Sequence, residues 1–592
     1  MTTMFHPPAA QAFWLGDSAA PMLAHYHPAQ HNSKLSRRCG VVLCAPFGHE
    51  YMVSYLSLRM LAARLSAAGF DVLSFDYQHT GDAADISTAQ IAAWQDNIRT
   101  AAGWLREQAQ VQHLCLAGLR FGALLAASVS DACRADALLL CAPVISGRAY
   151  ARELQVLRNM GLPPEVLETL SDEELTGYVF PAETRSAMAA LDLKKMAVPA
   201  CPVLLLSRDD IEGQEAALAA QWQQQHDAVC FSALPGYQAM MQVDAHSSVV
   251  PHAMWQHCTD WLSGLFPETH TAIAAPKLPA SASEAQWLQD AMTIREQIVH
   301  FDGMEGVLSL PQQPDTQKPA VILCNIGANH RTGNHRLYVK LARTLIQQGF
   351  TVLRFDKSGI GYSRATAAGN HNDVHAADGV ADIRAAMDFL EQQGYQEFVL
   401  GGLCSGAYFA YSTSLADKRI CGLMLMNQLV YVWNPEETIE QRRQTSIKSS
   451  SFYVKALRDP ATWKRLFSGD IRFGLIFSKL TARILKRLAA IAHKLTENWL
   501  PISFLLSPEA RHLRAFCAQG RHVLMVMDAG DASVDLMTEK FGRHAALLRH
   551  SNRFDLWILR GVDHTFTPLH AQQKVISYLT KQLQQRFGDS AA

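Results

Sequence analysis

Residues 402–406 read Gly-Leu-Cys-Ser-Gly and follow the apolar run Phe398–Gly401. A thiol held between glycines where a buried strand turns into a helix has the setting of a nucleophile on a strained turn. There a Cβ on either side would press into neighbouring backbone. The dipole at the N-terminus of the following helix favours the thiolate. Such a nucleophile needs a base to take its proton and an acid to orient the base. Both follow in chain order: Asp531 closes VLMVMDAGD after a strongly apolar run, and His564 sits in GVDHTF after the last strand-like segment. Asp528 and Asp535 compete for the acid role, and Asp563 is expected to shape the loop of its neighbour. The chemistry these residues could do is acyl chemistry. His564, aligned by Asp531, takes the Cys404 proton, and the thiolate attacks an acyl carbonyl. The oxyanion is held by the backbone N–H of Ser405 and by one from the loop Asn325 to Asn329, at Ile326 or Gly327. The Ser405 hydroxyl is the rival nucleophile, but its side chain is expected to point off the strand axis.

The same plan is written once before in the chain. VVLCAPFG (Val41 to Gly48) and LAARLSAAGFDVLSFD match VILCNIG and LARTLIQQGFTVLRFD. The offset is 280 residues from Cys44 to Cys324 and from Asp76 to Asp356, 284 from Gly118 to Gly402, and 318 from His246 to His564. Insertions collected in later loops are the mark of a duplicated fold whose strand and helix spacing holds. In the first copy the nucleophile position is Arg120, in Gly-Leu-Arg-Phe-Gly, and an arginine cannot deprotonate to attack. His246 keeps the base position, and Asp209 or Asp210 stands near the acid position. Arg120 is expected to pair with Glu50 or Asp210, or to meet an anionic ligand such as a carboxylate. The bland alternative is a buried ion pair in a half that only supports its neighbour. His49, in PFGHE, lies in the oxyanion-loop region, with a solvated loop histidine as its bland reading.

Each half opens with two short strand-like runs (Phe13–Gly16 and Met22–Tyr26; Gln297–Phe301 and Gly306–Leu310). Buried strands then alternate with helical periodicity: Val41–Ala45, Asp71–Asp76, His113–Ala117, Ala137–Cys141 and Val203–Ser207 in the first half. Val321–Asn325, Thr351–Asp356, Glu397–Gly401, Gly422–Asn427, Val523–Asp528 and Leu556–Arg560 are their counterparts. Near-continuous apolar strands of this kind predict an α/β fold, a mostly parallel sheet with helices on both faces, twice over. The domains are expected at 1–267 and 286–592, joined by the Ala-, Pro- and Ser-rich stretch 268–285. The stretch of about 429–507 is too long for a simple crossover and reads as a helical cap over the second site. Its first-half counterpart, 146–200, is shorter.

The 592 residues, 49% hydrophobic and with a formal charge of -1, describe an ordinary globular chain with no bias toward nucleic acid. The twelve cysteines show no metal-ligand spacing and lie mostly in apolar runs, which favours reduced thiols. No secretory segment is recognised, so a cytoplasmic location is expected. There is no Gly-rich phosphate loop or dinucleotide fingerprint, so no cofactor and no metal are expected. Between Arg442 and Lys494 thirteen Lys or Arg face only Asp459 and Asp470, interleaved with aromatic residues such as Trp463 and Phe473. That imbalance suits an anionic partner, with an acyl carrier protein, a coenzyme A thioester, a polyanionic saccharide or a membrane surface as candidates. The bland reading is a solvated helix face.

On APFGHEYM, FDYQHTGD and GLRFGALLA the first half resembles the second type of exosortase A system-associated hydrolase. On NIGANHRTGNHRLYVKLAR, RFDKSGIGYS and GGLCSGAY the second half is similar to the first type and to serine-aminopeptidase-like α/β-hydrolases. The resemblance implies the α/β-hydrolase fold, no metal and an acyl-directed activity. Both halves depart from it in lacking the elbow serine. The expectation is therefore a Cys-His-Asp hydrolase of esters or thioesters, or an acyltransferase, acting on a small acyl substrate. The alternative is a non-catalytic ligand-binding or scaffolding protein, and a peptidase rests on fold analogy alone.

Overall fold

The computed structural model describes residues 10–588 except 31–34, 87–89, 163, 172, 176, 243, 272–273, 435–438 and 440–505. The expected cap at about 429–507 and the basic stretch 442–494 therefore lie almost wholly outside the described residues. Contacts divide the chain into two compact units. Unit 1 holds 1–162, 171–314 and 327–374, and unit 2 holds 163–170, 315–326 and 375–592.

Unit 1 contains a complete eight-stranded sheet. Its strands are β1 (Gln11–Leu15), β2 (Met22–His27), β3 (Cys39–Cys44), β4 (Asp71–Phe75), β5 (His113–Leu119), β6 (Ala137–Cys141), β7 (Val203–Leu206) and β8 (Val229–Ser232), in the order β1-β2-β4-β3-β5-β6-β7-β8. The β1 and β2 strands are antiparallel, and β4 through β8 run parallel. The reason is visible in β3: CGVVLC is buried at every position, so both faces need cover. Val42, Leu73, Leu116 and Leu138 pack with the helices Gln90–Glu107 and Phe121–Val129. The alternate residues Val41, Val72, Cys115 and Leu139 pack with Leu61, Leu65, Trp255 and Leu262 of the helices His49–Ala67 and His252–Leu265. Period-two alternation thus divides the core between two layers.

Unit 1 also carries β9 (Glu284–Gln289), β10 (Met292–Phe301) and β11 (Met304–Leu310), an antiparallel run, with β11 pairing antiparallel to Val352–Phe355. β9 begins inside the stretch that the sequence suggests as a linker. Trp287 is its one fully buried residue, and its alternating burial was masked by the Ala and Ser around it. β8 is likewise a strand that periodicity missed, because VCFS is short and only its first residue is buried.

The two copies meet within unit 1 through buried charge. Asp82 accepts from Arg331 Nε at 2.8 Å and from Arg354 Nη1. Arg331 also reaches Glu305 at 3.0 Å and Asp356 at 2.9 Å. Glu296 accepts from Arg343 at 3.0 Å and Arg354 at 2.8 Å. His25 and Glu305, which occupy equivalent places 280 residues apart, meet at 2.8 Å. Every one of these side chains is buried, so each charge depends on its partner.

Unit 2 holds five parallel strands, β12 (Ala320–Cys324), then, past Val352–Phe355, which is β13 and belongs to unit 1, β14 (Phe398–Leu403), β15 (Ile420–Met426), β16 (His522–Asp528) and β17 (Phe554–Leu559). They pair in the order β12-β14-β15-β16-β17. The helices Gly379–Glu391, Ser405–Ala416, Pro508–Ala518 and Leu569–Phe587 supply buried apolar faces. Among the described residues no helix is long and apolar enough to cross a membrane, and no group of His, Cys, Asp or Glu could hold a metal ion.

Candidate active site

Cys404 stands between β14 and the helix Ser405–Ala416, with φ at 57° and ψ at -112°, a conformation costly for a residue with a side chain. Its N–H donates to Met426 O at 2.9 Å, which fixes the bend against β15. The flanking glycines are required by distance. A Cβ on Gly402 would come within 2.2 Å of the Gly406 carbonyl carbon, and one on Gly406 within 2.5 Å of Cys324 O. The sulfur is therefore presented at the helix start, and Cys404 alone among the cysteines of unit 2 is half-exposed where the others are buried.

The expected base and acid come to the same place. His564, in the loop after β17, is hydrogen-bonded to the Cys404 side chain. Its Nδ1 lies 2.8 Å from Asp531 Oδ2. Asp531 caps the helix Ala532–Phe541, and its Oδ1 accepts from Ser533 N at 2.8 Å. Burial would hold the His564 imidazole neutral, yet the Cys404 sulfur and the Asp531 carboxylate raise it well above the ordinary histidine value. Burial likewise pushes the Asp531 carboxyl up, and the hydrogen bonds from His564 and Ser533 more than reverse this and lower it. Electrostatically the site favours a carboxylate beside an imidazolium.

The competing carboxylates have other tasks. Asp528 accepts from Gly530 N at 3.0 Å, and burial with the nearby Asp531 and Asp563 pushes it up to about 6. Asp563 accepts from Thr567 N at 2.6 Å and from the Thr565 and Thr567 hydroxyls, which folds the histidine loop. Asp535 lies in the first turn of the helix Ala532–Phe541. Ser405 is 2% exposed, so its hydroxyl is not offered to a substrate. Ile326 is buried at the end of the unit 2 stretch 315–326, and Gly327, with φ at 58°, opens the unit 1 stretch 327–374.

The first copy keeps the bend but not its chemistry. Arg120 has φ at 53° and ψ at -120°, nearly the values at Cys404. Its Nε donates to Glu50 Oε1 at 2.7 Å and its Nη2 to Glu153 Oε1 at 2.8 Å, while Tyr150 donates to Glu50 Oε2 at 2.8 Å. The guanidinium is 3% exposed and closed in by its own partners. Asp210, offered as a partner of Arg120, pairs instead with Arg208, two positions before it, through two 2.6 Å bonds. Asp209 caps the backbone N–H groups of Gly236 and Gln238. His246 lies on the short helix Ala245–Ser247, and burial lowers His49.

A family model described as serine aminopeptidase, S33, matches residues 318–497. The match falls on part of the second copy, where five parallel strands surround the elbow, and the first copy repeats an eight-stranded, mostly parallel, helix-covered sheet. Residues 318–497 are thus similar to that family, and the fold is α/β with mostly parallel sheets. Among curated proteins none matches. Solved structures similar to this chain include an α/β serine hydrolase without lid from Xanthomonas campestris. It is 17% identical, with 45% of this chain and 100% of that one covered and a TM-score of 0.30. Est1E from Butyrivibrio proteoclasticus with ferulic acid bound is 17% identical over 43% of this chain and 97% of that one, TM-score 0.33. A thermophilic esterase from Thermogutta terrifontis is 16% identical over 44% and 100%, TM-score 0.30.

Sequence reasoning overlooked three residues that the structure ties to these positions. Glu153 and Tyr150, on the helix Gly147–Gly161, close over Arg120. Asn427, at the end of β15, joins the loops of unit 2. No motif marks any of them; the only signal is that Asn427 is a polar residue directly after seven buried ones.

Proposed function

We propose that the protein is a hydrolase of carboxylic esters or thioesters, or an acyltransferase, that works through Cys404, His564 and Asp531. The observation that carries this reading is the continuous hydrogen-bonded row from Asp531 through His564 to the Cys404 sulfur. In the reaction His564 takes the Cys404 proton and the sulfur forms a bond to the acyl carbon, giving a tetrahedral oxyanion. The backbone N–H groups of Ser405 and Ile326 donate hydrogen bonds to it. Collapse breaks the bond to the alkoxide or thiolate leaving group, which receives the proton from His564. Water, or an acceptor alcohol or amine, then gives its proton to His564 and attacks the acyl-cysteine; the S–C bond breaks, the acid or transfer product leaves, and the Cys404 sulfur takes the proton back from His564. Thioesters suit a sulfur nucleophile because acyl exchange between thiols is nearly balanced in energy. The first copy contributes no nucleophile, and Arg120 with Glu50 is its structural plug. A reducing compartment such as the cytoplasm agrees with twelve unpaired cysteines.

The test is steady-state turnover of short-chain aryl esters and acyl thioesters by the full chain. Cys404→Ala and His564→Ala are expected to lose it by about 10³-fold or more, and Asp531→Asn by a smaller factor. Full turnover by Cys404→Ala would overturn the reading.

A further inference from the structure

Asn427 is the residue directly after β15, wholly buried, with φ at 41°. Its Nδ2 donates to the backbone carbonyl of His564 at 2.7 Å. Its Oδ1 accepts from the backbone N–H of Asp528 at 2.7 Å and from the Ser533 hydroxyl at 3.5 Å. The neighbouring Met426 carbonyl accepts from Cys404 N. Two consecutive residues therefore hold the nucleophile's bend, the start of the acid loop and the base itself. The amide orientation follows from its partners, since only the nitrogen can donate to a carbonyl and only the oxygen can accept an N–H.

The first copy supplies a comparison inside the same molecule. Cys141 accepts from Arg120 N as Met426 does from Cys404 N, so Ala142 is the counterpart of Asn427. Ala142 has φ at 43°, the same left-handed backbone, with no side-chain polar group to bond. The backbone turn therefore does not need asparagine, and the amide is present only in the copy that carries the thiol. A buried side chain bonded at once to the acid segment and to the histidine loop fixes their mutual register to within a hydrogen bond's tolerance.

We propose that Asn427 is a positioning residue that registers the His564 loop against the Asp531 loop and the Cys404 elbow. The proposal rests on the Cys404-His564-Asp531 reading above. Without the amide the strands and the turn persist, but the imidazole is no longer held where it can take the thiol proton.

The experiment follows carbamidomethylation of Cys404 in the full-length protein, read at that peptide by mass spectrometry, for wild type, Asn427→Gly, Asn427→Ala and His564→Ala. Glycine is at ease at positive φ, and alanine already occupies this conformation at Ala142, so the pair preserves the fold, which circular dichroism checks. At about pH 6 both Asn427 variants are expected to be modified about tenfold more slowly than wild type, as is His564→Ala. At about pH 9.5, where an ordinary thiol ionises unaided, all four are expected to converge. A loss of packing alone would instead expose the sulfur and speed modification at every pH. Wild-type rates in both Asn427 variants beside a slow His564→Ala would overturn the positioning role and leave the catalytic reading standing. A His564→Ala protein as fast as wild type at about pH 6 would overturn both.

Discussion

Asp82→Asn tests the buried charge that joins the two copies. Asp82 is 1% exposed and serves two guanidiniums, Arg331 and Arg354, while also lying beside Asp76, whose Oδ2 accepts the Asp82 N–H at 2.8 Å. Burial would raise the Asp82 carboxyl, but the two arginines overcome it and hold it well below the usual carboxylate range. Asparagine keeps the size and one acceptor but removes the charge, leaving Arg354 with Glu296 and Arg331 with Glu305 and Asp356. Removing one partner of a buried pair costs about 3–5 kcal/mol, and the remaining acids place this substitution near the lower end, about 3 kcal/mol. For a unit of this size, with an unfolding entropy of about 2.1 cal/mol/K per residue, that is a fall in melting temperature of roughly 4 °C. Differential scanning calorimetry of wild type, Asp82→Asn, Arg354→Met and the double variant measures it. The double variant is expected to fall short of additivity by about 1–3 kcal/mol, since Arg354 no longer seeks the missing charge. A loss under 1 kcal/mol, or strict additivity, would refute the claim that these charges are mutually dependent.

Arg120→Ala leaves Glu50 and Tyr150 facing an empty elbow, and because Glu50 is partly exposed the cost is expected at about 2–3 kcal/mol. Chemical denaturation should detect this while esterase turnover per folded molecule stays at the wild-type level. Gly406→Ala drives a methyl to within 2.5 Å of Cys324 O, so it is expected to destabilise by about 2–4 kcal/mol and to abolish turnover; a melting curve and activity assay together would show a folded, active variant if the elbow were slack. Asp528→Asn is expected to stabilise at neutral pH by about 1 kcal/mol after allowance for solvent screening. The sign follows from a folded-state value raised from 3.8 to about 6: ionising this group costs folding energy as pH rises through that window. The gain should vanish below about pH 4, and thermal melts from pH 4 to 8 would show a flat difference if the carboxyl were unperturbed.

Much of this architecture was legible because buried parallel strands are written as unbroken apolar runs. Ala137–Cys141 was bounded correctly at both ends, and the other predicted strands agree to within a few residues. What failed was short or half-exposed. Val229–Ser232 buries one residue, and Glu284–Gln289 hides its alternation in a stretch whose composition resembles a connector. The elbow cysteine, Asp531 and His564 could be placed because each follows a strand at a turn with small residues. Their supports could not. Asn427, Glu153 and Tyr150 act through hydrogen bonds across 33 to 137 positions of chain, and no local pattern encodes a partner at that distance. Asp210 illustrates the converse, since a nearby arginine two residues away captured a carboxylate that spacing alone had offered to Arg120.

The central claim is that the Cys404 sulfur carries the acyl group. Intact-mass and peptide mass spectrometry after rapid acid quench, with the full-length protein incubated with a panel of acyl thioesters and activated esters, measures this directly. One acyl mass per chain, located on the Cys404 peptide and absent from Cys404→Ala and His564→Ala, is the predicted result. Turnover of the same substrates with no adduct at Cys404, or with the acyl group on another residue, would contradict it.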